Sequence, residues 1–275
     1  MNAPHTFEQY LSIATAEQTL DKLTSQNEDA PLLVGAVGGS GSRLVVQILE
    51  KVGVTMAPYA NRGRDTVLWP PLENLTASSA GRHSTRQAII SHALRGMEDL
   101  LQTYRLANNA QGPQGLKATD SFIWLPELAN YFPTLRYIHI TRNGLDMAYS
   151  KNQAQFRKNA WYFGINSRDK HDPASERVPP ERMLDYWIAA NRYAIDQGRS
   201  LLGDRFFLLD FDLLCQRPTS VISRLLSFLG AEQEQAPDLA ALVEPPASIG
   251  RHLSFPWQQT FTPEQLDAVA KIGGL

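Results

Sequence analysis

The stretch LLVGAVGGSGSRLVVQILEKVGV, residues 32–54, constrains the fold more than any other part of the chain. It opens with a short apolar run that stops at glycine, which is typical of a buried β-strand. The apolar residues after it recur at helical spacing from Ser42 to Val52. A strand that passes through glycines and serines directly into a helix predicts an α/β protein with a tight loop at the carboxyl end of the strand.

The loop between this strand and helix has the composition of an anion-binding site. Gly38, Gly39 and Gly41 can adopt positive φ angles and allow a ligand to approach the backbone closely. Successive backbone N–H groups and the partial positive charge of the helix start favour phosphate or sulfate. Ser40, Ser42 and Arg43 add side-chain donors. We therefore predict an anion site here, with a tight turn that binds no ligand as the alternative.

Two common nucleotide-binding motifs are not matched by this loop. The Walker motif requires Lys after its last glycine, whereas Ser42 follows Gly41. The dinucleotide motif G-x-G-x-x-G, counted from Gly39, would require a glycine at Leu44. Both mismatches weaken the case for a kinase or a dehydrogenase.

The segment YIHITRNGLDMAYS, residues 137–150, repeats the arrangement with different side chains. Its β-prone start predicts a strand that ends near Arg142, and Asn143 can cap the helix after it. We expect Ser150 about two turns along that helix, on the same face as its cap. An Arg and a Ser so placed can bind a second phosphate. A salt-bridged Arg at a sheet edge and a solvated Ser are the alternative.

Strands alternate with helices along the chain, which predicts an α/β fold with a central, mostly parallel sheet flanked by helices. Further strands are expected at GVTMA, GLKA and RFFLLDF. Further helices are expected from Ser84 to Leu106, over DSFIWLPELANYF, from Glu181 to Leu202 and over PTSVISRLLSFLG. No linker divides residues 1–275, so we expect a single domain. Ligands of such sheets bind beyond the carboxyl ends of the strands, so both predicted anion sites should share one cleft.

Composition narrows the class of protein. The net charge of −2 argues against bulk binding of nucleic acid or membrane surfaces. We find no secretory signal and no membrane span, and we expect a soluble, cytoplasmic protein. The single cysteine, Cys215, excludes an intrachain disulfide and is expected to be a buried apolar residue. The histidines are too scattered for a ligand pattern, so we predict no metal.

With these motifs the sequence resembles the sulfotransferases that use 3′-phosphoadenosine 5′-phosphosulfate (PAPS). GGSGSR is similar to the family's loop around the 5′-phosphosulfate, and RNGLDMAYS is similar to its 3′-phosphate motif, RDGRDxxxS. LKATDSFIWLPELANYFPTLRYIHITRN and RFFLLDFDLLCQRPTSVISRLLSFLG are similar to two further family segments. The resemblance covers most of residues 32–230. It is nearest to bacterial proteins with GGSGTR and more distant to tyrosylprotein and carbohydrate sulfotransferases.

The resemblance implies a P-loop NTPase-like sulfotransferase fold and transfer of a sulfuryl group from PAPS, as co-substrate, to a hydroxyl or amine. It implies that Lys117 neutralises charge on the leaving phosphate. Arg142 and Ser150 would bind the 3′-phosphate, and Arg251 would close over the adenosine end. The predicted cofactor-binding residues are Gly39, Ser40, Gly41, Ser42, Arg43, Leu44, Arg142, Ser150 and Arg251.

The reaction also requires a base for the acceptor proton. Asp65, in a loop after the first motif, is the first candidate, and His83 is the second because histidine titrates near neutrality. Asn61, Arg62 and Trp69 are candidates for lining an acceptor pocket. The acceptor itself remains open among carbohydrate, lipid, small molecule and peptide.

The sequence departs from the family pattern at several positions. Gly39 stands where the family loop begins with a basic residue, Asn143 and Leu145 replace Asp and Arg, and no proline follows Lys117. These departures favour one alternative, a non-catalytic nucleotide-binding relative. The other alternative is a P-loop-type phosphoryl transferase or kinase, which would depend on Mg²⁺.

Overall fold

The computed structural model of the chain describes residue 25 and residues 30–59, 61–68, 83–165 and 177–273, without the side chains of 83–89. The strands of this part of the chain form one sheet in the order β2-β3-β1-β4-β5, and every pairing is parallel. Their bounds are β1 Leu32–Ala36, β2 Thr55–Met56, β3 Gln114–Lys117, β4 Arg136–Thr141 and β5 Phe206–Asp210. The predicted α/β fold with a parallel central sheet is confirmed.

Helices follow the strands and cover the sheet. Their bounds are α1 Ser42–Lys51, α2 His83–Ala107, α3 Leu125–Tyr131, α4 Gly144–Ala148, α5 Ala154–Asn159, α6 Pro180–Leu202, α7 Phe211–Gln216, α8 Pro218–Leu229, α9 Ala236–Ala240, α10 Trp257–Thr260 and α11 Pro263–Gly273. Short 3₁₀ helices cover Ser121–Trp124, Ala160–Phe163, Gly203–Arg205, Gln233–Gln235 and Arg251–Ser254. No helix among the described residues is long and apolar enough to cross a bilayer.

Two hydrophobic clusters, one on each face of the sheet, hold the layers together. Because side chains alternate along a strand, Leu33 of β1 packs into the cluster that includes α2, α3 and α6. Its neighbours Leu32 and Val34 pack into the opposite cluster, which includes α1 and α8. Both faces of β1 are therefore buried, which explains why its sequence is an unbroken apolar run.

Two local expectations were wrong. The helix after β4 ends at Ala148, so Ser150 lies beyond the helix, where its N–H donates to the carbonyl of Met147 at 3.0 Å. The side chain of Tyr149, at the end of this helix, stacks on Phe255 with ring centroids 4.2 Å apart. The second wrong expectation concerns Cys215, which is only partly buried. It packs against the hydrophobic cluster that includes α1 and α8.

Candidate active site

A cavity of about 780 Å³ opens where β1, β3 and β4 end, and it is called the central cavity here. Its walls come from the first loop, residues 38–42, the ends of β3 and β4, residues 62–65, and residues 242–251 of the C-terminal segment. Six basic side chains and two acidic ones line it: Arg43, Arg62, Arg64, Lys117, Arg142 and Arg251, with Asp65 and Glu244. In a chain with a net charge of −2, this local excess of positive charge favours an anionic ligand.

The first loop has the backbone that its glycines predict. Gly39 and Gly41 have φ angles of 94° and 81°, in the left-handed region that favours glycine. A Cβ atom at Gly41 would lie 2.1 Å from the ring of Phe211. The packing of the loop therefore also requires glycine at this position, because any side chain would collide with that ring. Gly41 is the N-cap of α1, so the unbonded N–H groups of the first helical turn lie at the edge of the central cavity.

The side chain of Gln155, on α5, holds the start of the loop. Its amide oxygen accepts from the N–H of Gly38 at 2.6 Å, and its amide nitrogen donates to the carbonyl of Ala36 at 3.1 Å. These two bonds tie α5 to the end of β1. Sequence reasoning missed Gln155, because its partners lie more than one hundred residues earlier in the chain.

The predicted residues of the first loop do not all face the central cavity. Gly39, Gly41, Ser42, Arg43 and Leu44 line it. Ser40 is fully buried, and its hydroxyl donates to the carbonyl oxygen of Val37 at 2.5 Å. Its side chain therefore stabilises the turn of the loop and is not one of the donors presented to the cavity.

Arg142, at the end of β4, connects the first loop with the C-terminal segment. Its Nη1 donates to the carbonyl oxygen of Gly39 at 3.1 Å, and its Nη2 donates to the hydroxyl of Ser248 at 2.8 Å. The side chain is buried, and this burial lowers its pKa. Among the described residues, the buried Nε atom has no hydrogen-bond partner. Arg142 thus presents a donor that this part of the protein does not satisfy.

Ser150 also lines the central cavity and is 7% exposed. Its hydroxyl oxygen accepts from the N–H of Asn152 at 3.1 Å. In this contact the hydroxyl is the acceptor, so its hydrogen can point to a ligand in the cavity.

Asp146, on α4, holds the C-terminal segment in place. One carboxylate oxygen accepts from the N–H of Gly250 at 2.7 Å, and the other accepts from the N–H of His252 at 3.0 Å and lies 2.7 Å from its Nδ1. The carbonyl of Asp146 accepts from Arg251 Nη1 at 3.3 Å. These bonds keep Arg251 at the central cavity.

Sequence reasoning assigned no role to Asp146, although a signal was present. It is the Asp of RNGLDMAYS, which matches the Asp of the related family motif. Its partners lie 104 to 106 residues later, so local spacing could not reveal them.

Lys117 and Asp65, the two leading catalytic candidates, form an ion pair. Lys117 Nζ lies 2.8 Å from Asp65 Oδ1 and donates to the carbonyl oxygen of Gly63 at 2.5 Å. Lys117 is 3% exposed, whereas the Asp65 side chain is 36% exposed and borders the cavity. Asn61 Nδ2 donates to the second carboxylate oxygen of Asp65 at 3.0 Å. Arg62, the other acceptor-pocket candidate in this loop, also lines the cavity.

The loop that carries Asp65 is fixed to the sheet and to α1. The N–H of Thr66 donates to the carbonyl of Lys117 at 2.9 Å, and Glu50 of α1 contacts both Tyr59 and Arg64. Partial burial and the hydrogen bond to Glu50 raise the pKa of Tyr59 to about 12. The side chain of His83 and the whole of Trp69 lie outside the described residues.

No group of three or more His, Cys, Asp or Glu side chains in the described part of the chain is arranged to hold a metal ion. His252, for example, contacts Asp146 and has its ring 5.6 Å from that of Trp257.

Comparison with known proteins identifies solved structures of similar fold. The sulfotransferase domain of the Synechococcus PCC 7002 olefin synthase is similar in structure, with 16% identity, a TM-score of 0.53, and coverage of 90% of this chain and 96% of that domain. The sulfotransferase domain of the curacin biosynthetic pathway has 13% identity, a TM-score of 0.50, and coverage of 88% and 96%. These likenesses show the fold. The sequence matched none of the curated proteins with which it was compared. A model of the sulfotransferase family matches residues 31–235, about three quarters of the sequence, and the chain therefore belongs to the sulfotransferase family.

Proposed function

We propose that this protein transfers a sulfuryl group from PAPS to a hydroxyl or amine of an acceptor. The observation that carries the proposal is the hydrogen bond between Arg142 and Gly39, because it brings both predicted anion-binding motifs to one cavity. The cavity volume of about 780 Å³ suits a nucleotide. Its excess of basic side chains suits one that carries phosphate groups at two positions.

Each end of the nucleotide has a matching set of donors. The first loop and the start of α1 would bind the 5′-phosphosulfate through backbone N–H groups, assisted by Ser42 and Arg43. Arg142, with its unsatisfied Nε, would bind the 3′-phosphate together with Ser150 and Arg251.

The proposed reaction gives Asp65 and Lys117 separate roles, and their ion pair has to open for both to act. Asp65 accepts the acceptor's proton as the acceptor oxygen or nitrogen forms a bond to sulfur, and the bond from sulfur to the bridging phosphate oxygen breaks. The leaving nucleotide is 3′-phosphoadenosine 5′-phosphate (PAP). Lys117 Nζ, now paired with Asp65 Oδ1, stabilises the negative charge that grows on the leaving phosphate.

Two experiments test the proposal. Calorimetry should show binding of PAP that is at least about tenfold tighter than that of ATP with Mg²⁺, since the loop lacks the Walker lysine. Radiolabelled PAPS, incubated with a set of hydroxylated and amino acceptors, should label at least one of them.

Each alternative has its own outcome. Preference for ATP with Mg²⁺ would contradict the proposal and favour a kinase. Tight PAP binding without transfer to any acceptor, including those of a cell extract, would favour a non-catalytic relative.

A further inference from the structure

Gln155, on α5, uses both polar atoms of its side-chain amide at the point where β1 enters the first loop. Its Oε1 accepts from the N–H of Gly38 at 2.6 Å, and its Nε2 donates to the carbonyl of Ala36 at 3.1 Å. This pair of bonds requires one acceptor and one donor at the end of the same side chain, which glutamine provides and glutamate does not. The proposed reaction so far gives Gln155 no role.

The bond to Gly38 determines which backbone donors of the first loop can bind a ligand. Gln155 occupies the N–H of Gly38, and the φ angle of Gly38 is not in the left-handed region. The loop turns only after this residue, at Gly39 and Gly41, and then enters α1. An anion would therefore bind to the N–H groups that follow Gly38, in the turn and in the first turn of the helix.

Other contacts hold α5 in place without using the first loop. Phe156 is 1% exposed, and its ring lies edge-on to that of Tyr186 on α6, with the centroids 5.6 Å apart. Asp120, shortly after β3, accepts from Lys158 Nζ at 2.9 Å. Because these contacts lie on both sides of Gln155 in the chain, α5 is a fixed support for the loop.

The segment that carries Gln155 also begins at the opposite end of the proposed donor site. Ser150, assigned to the 3′-phosphate, accepts from the N–H of Asn152 at 3.1 Å. Gln155 follows in the same segment and contacts the loop assigned to the 5′-phosphosulfate. A change at Gln155 should therefore affect one end of the nucleotide, while Ser150 and Arg142 still bind the other end.

We propose that Gln155 is a positioning residue that holds the first loop in the shape that binds the 5′-phosphosulfate. This inference rests on the proposed function and adds a residue that acts without touching the donor. Its amide fixes Gly38 to the end of β1, so the N–H groups after Gly38 point to one place before the donor arrives. Without these bonds, binding of the 5′-phosphate would have to order the loop, which reduces affinity.

The test compares the wild type with Gln155→Met, which keeps the length of the side chain and removes both bonds. The ligands are PAP and adenosine 3′-phosphate, which differ only in the 5′-phosphate. Affinity for PAP, measured by calorimetry, should fall at least about tenfold, as for the loss of one or two hydrogen bonds that fix the loop, whereas affinity for adenosine 3′-phosphate should stay within about threefold. A variant that only weakens the fold would lose affinity for both ligands.

Two further variants sharpen the comparison. Gln259→Met, which changes an exposed glutamine on α10, is the matched control and should bind both nucleotides as the wild type does. Gln155→Glu keeps an acceptor for the N–H of Gly38, but its second oxygen faces the carbonyl of Ala36 and cannot donate to it. This variant should therefore also lose affinity for PAP.

A measurement on the wild type does not depend on the folding of any variant. The amide proton of Gly38 should exchange slowly with solvent, because Gln155 accepts from it. Addition of PAP should shift the amide NMR signals of Gly41 and Ser42 and leave that of Gly38 nearly unchanged. In Gln155→Met, exchange at Gly38 should be at least about tenfold faster.

The results separate this inference from the proposed function. Failure of the wild type to bind PAP would refute the proposed function, and the inference with it. If the wild type binds PAP, three results would overturn the inference alone. They are an unchanged affinity of Gln155→Met for PAP, an equal loss of affinity for both nucleotides, and a Gly38 amide signal that shifts with PAP as much as that of Gly41.

Discussion

The guanidinium of Arg142 donates a hydrogen bond to the carbonyl oxygen of Gly39, across 103 positions of sequence. The contact is possible because β1 and β4 are parallel neighbours with Ala36 opposite Ile140, so both chains leave the sheet at the same edge. The glycine loop that follows β1 and the arginine that follows β4 therefore face one cavity.

Replacement of Gly41 by Ala should destabilise the protein much more than the same change at Gly53. Both glycines have positive φ angles, 81° and 89°, which cost alanine about 1 kcal/mol or more. Only at Gly41 would the new Cβ atom collide with Phe211, whereas at Gly53 it meets no described atom within 4 Å. We expect the free energy of unfolding to fall by about 2–4 kcal/mol for Gly41→Ala and about 1 kcal/mol for Gly53→Ala.

Urea unfolding of the two variants checks this expectation. Equal losses of unfolding free energy would mean that the close approach of Phe211 does not hold the first loop.

Asp146→Ala should release the C-terminal segment. The amides of Gly250 and His252 lose their acceptor, so their hydrogen exchange should accelerate. Arg251 then leaves the cavity, and affinity for PAP should fall about tenfold to a hundredfold, the range typical of one charged contact. Arg251→Ala should cause a similar loss.

The double variant Asp146→Ala/Arg251→Ala tests whether the two residues act together. Its affinity for PAP should be no lower than that of either single variant, because both remove the same contact. Asp267→Ala, at an exposed site on α11, is the control. Fully additive losses would show that Asp146 acts on the fold and not through Arg251.

Lys117→Ala should impair turnover more than donor binding. Loss of one preorganised charge beside the leaving group typically lowers kcat by a factor of about 10²–10³. Affinity for PAP should change by less than about tenfold, since the arginines of the cavity remain. Labelled sulfate transfer and calorimetry measure the two quantities, with the exposed Lys271→Ala as control. An unchanged kcat would remove Lys117 from the mechanism.

The buried His139 of β4 should make stability depend on pH. Its Nε2 lies 3.0 Å from Asn191 Oδ1, and burial lowers its pKa to about 4. Between pH 6.5 and 4 the unfolded chain binds a proton that the folded protein does not. Stability should therefore decrease as the pH falls through this range, by on the order of 3 kcal/mol in total from this group.

His139→Gln retains a donor for Asn191 but does not titrate. Its unfolding free energy, measured in urea between pH 7 and pH 4, should decrease less steeply than that of the wild type. The same slope in both proteins would assign the pH dependence to other groups.

The sequence predicted those parts of the structure that depend on residues close to one another in the chain. Apolar periodicity located the main strands and helices, and the glycines of the first loop indicated positive φ angles, which Gly39 and Gly41 adopt and Gly38 does not. Asn143 is the expected helix cap, with its side chain accepting from the N–H groups of Leu145 and Asp146.

Contacts between residues far apart in the chain could not be predicted from these local sequence patterns. The bonds from Asp146 to the C-terminal segment depend on where that segment returns over the sheet. The burial of Ser40 depends on the packing of the loop, and not on its composition.

The most direct test of the central claim is the affinity of the wild type and of Arg142→Ala for two nucleotides that differ only in the 3′-phosphate, PAP and adenosine 5′-phosphate. The wild type should bind PAP at least about a hundredfold more tightly, and the variant should lose most of this preference while its weaker binding of adenosine 5′-phosphate stays nearly unchanged. Equal affinity of the wild type for the two nucleotides, or a variant that keeps the full preference, would contradict the assignment of Arg142 and the first loop to opposite ends of one sulfate donor.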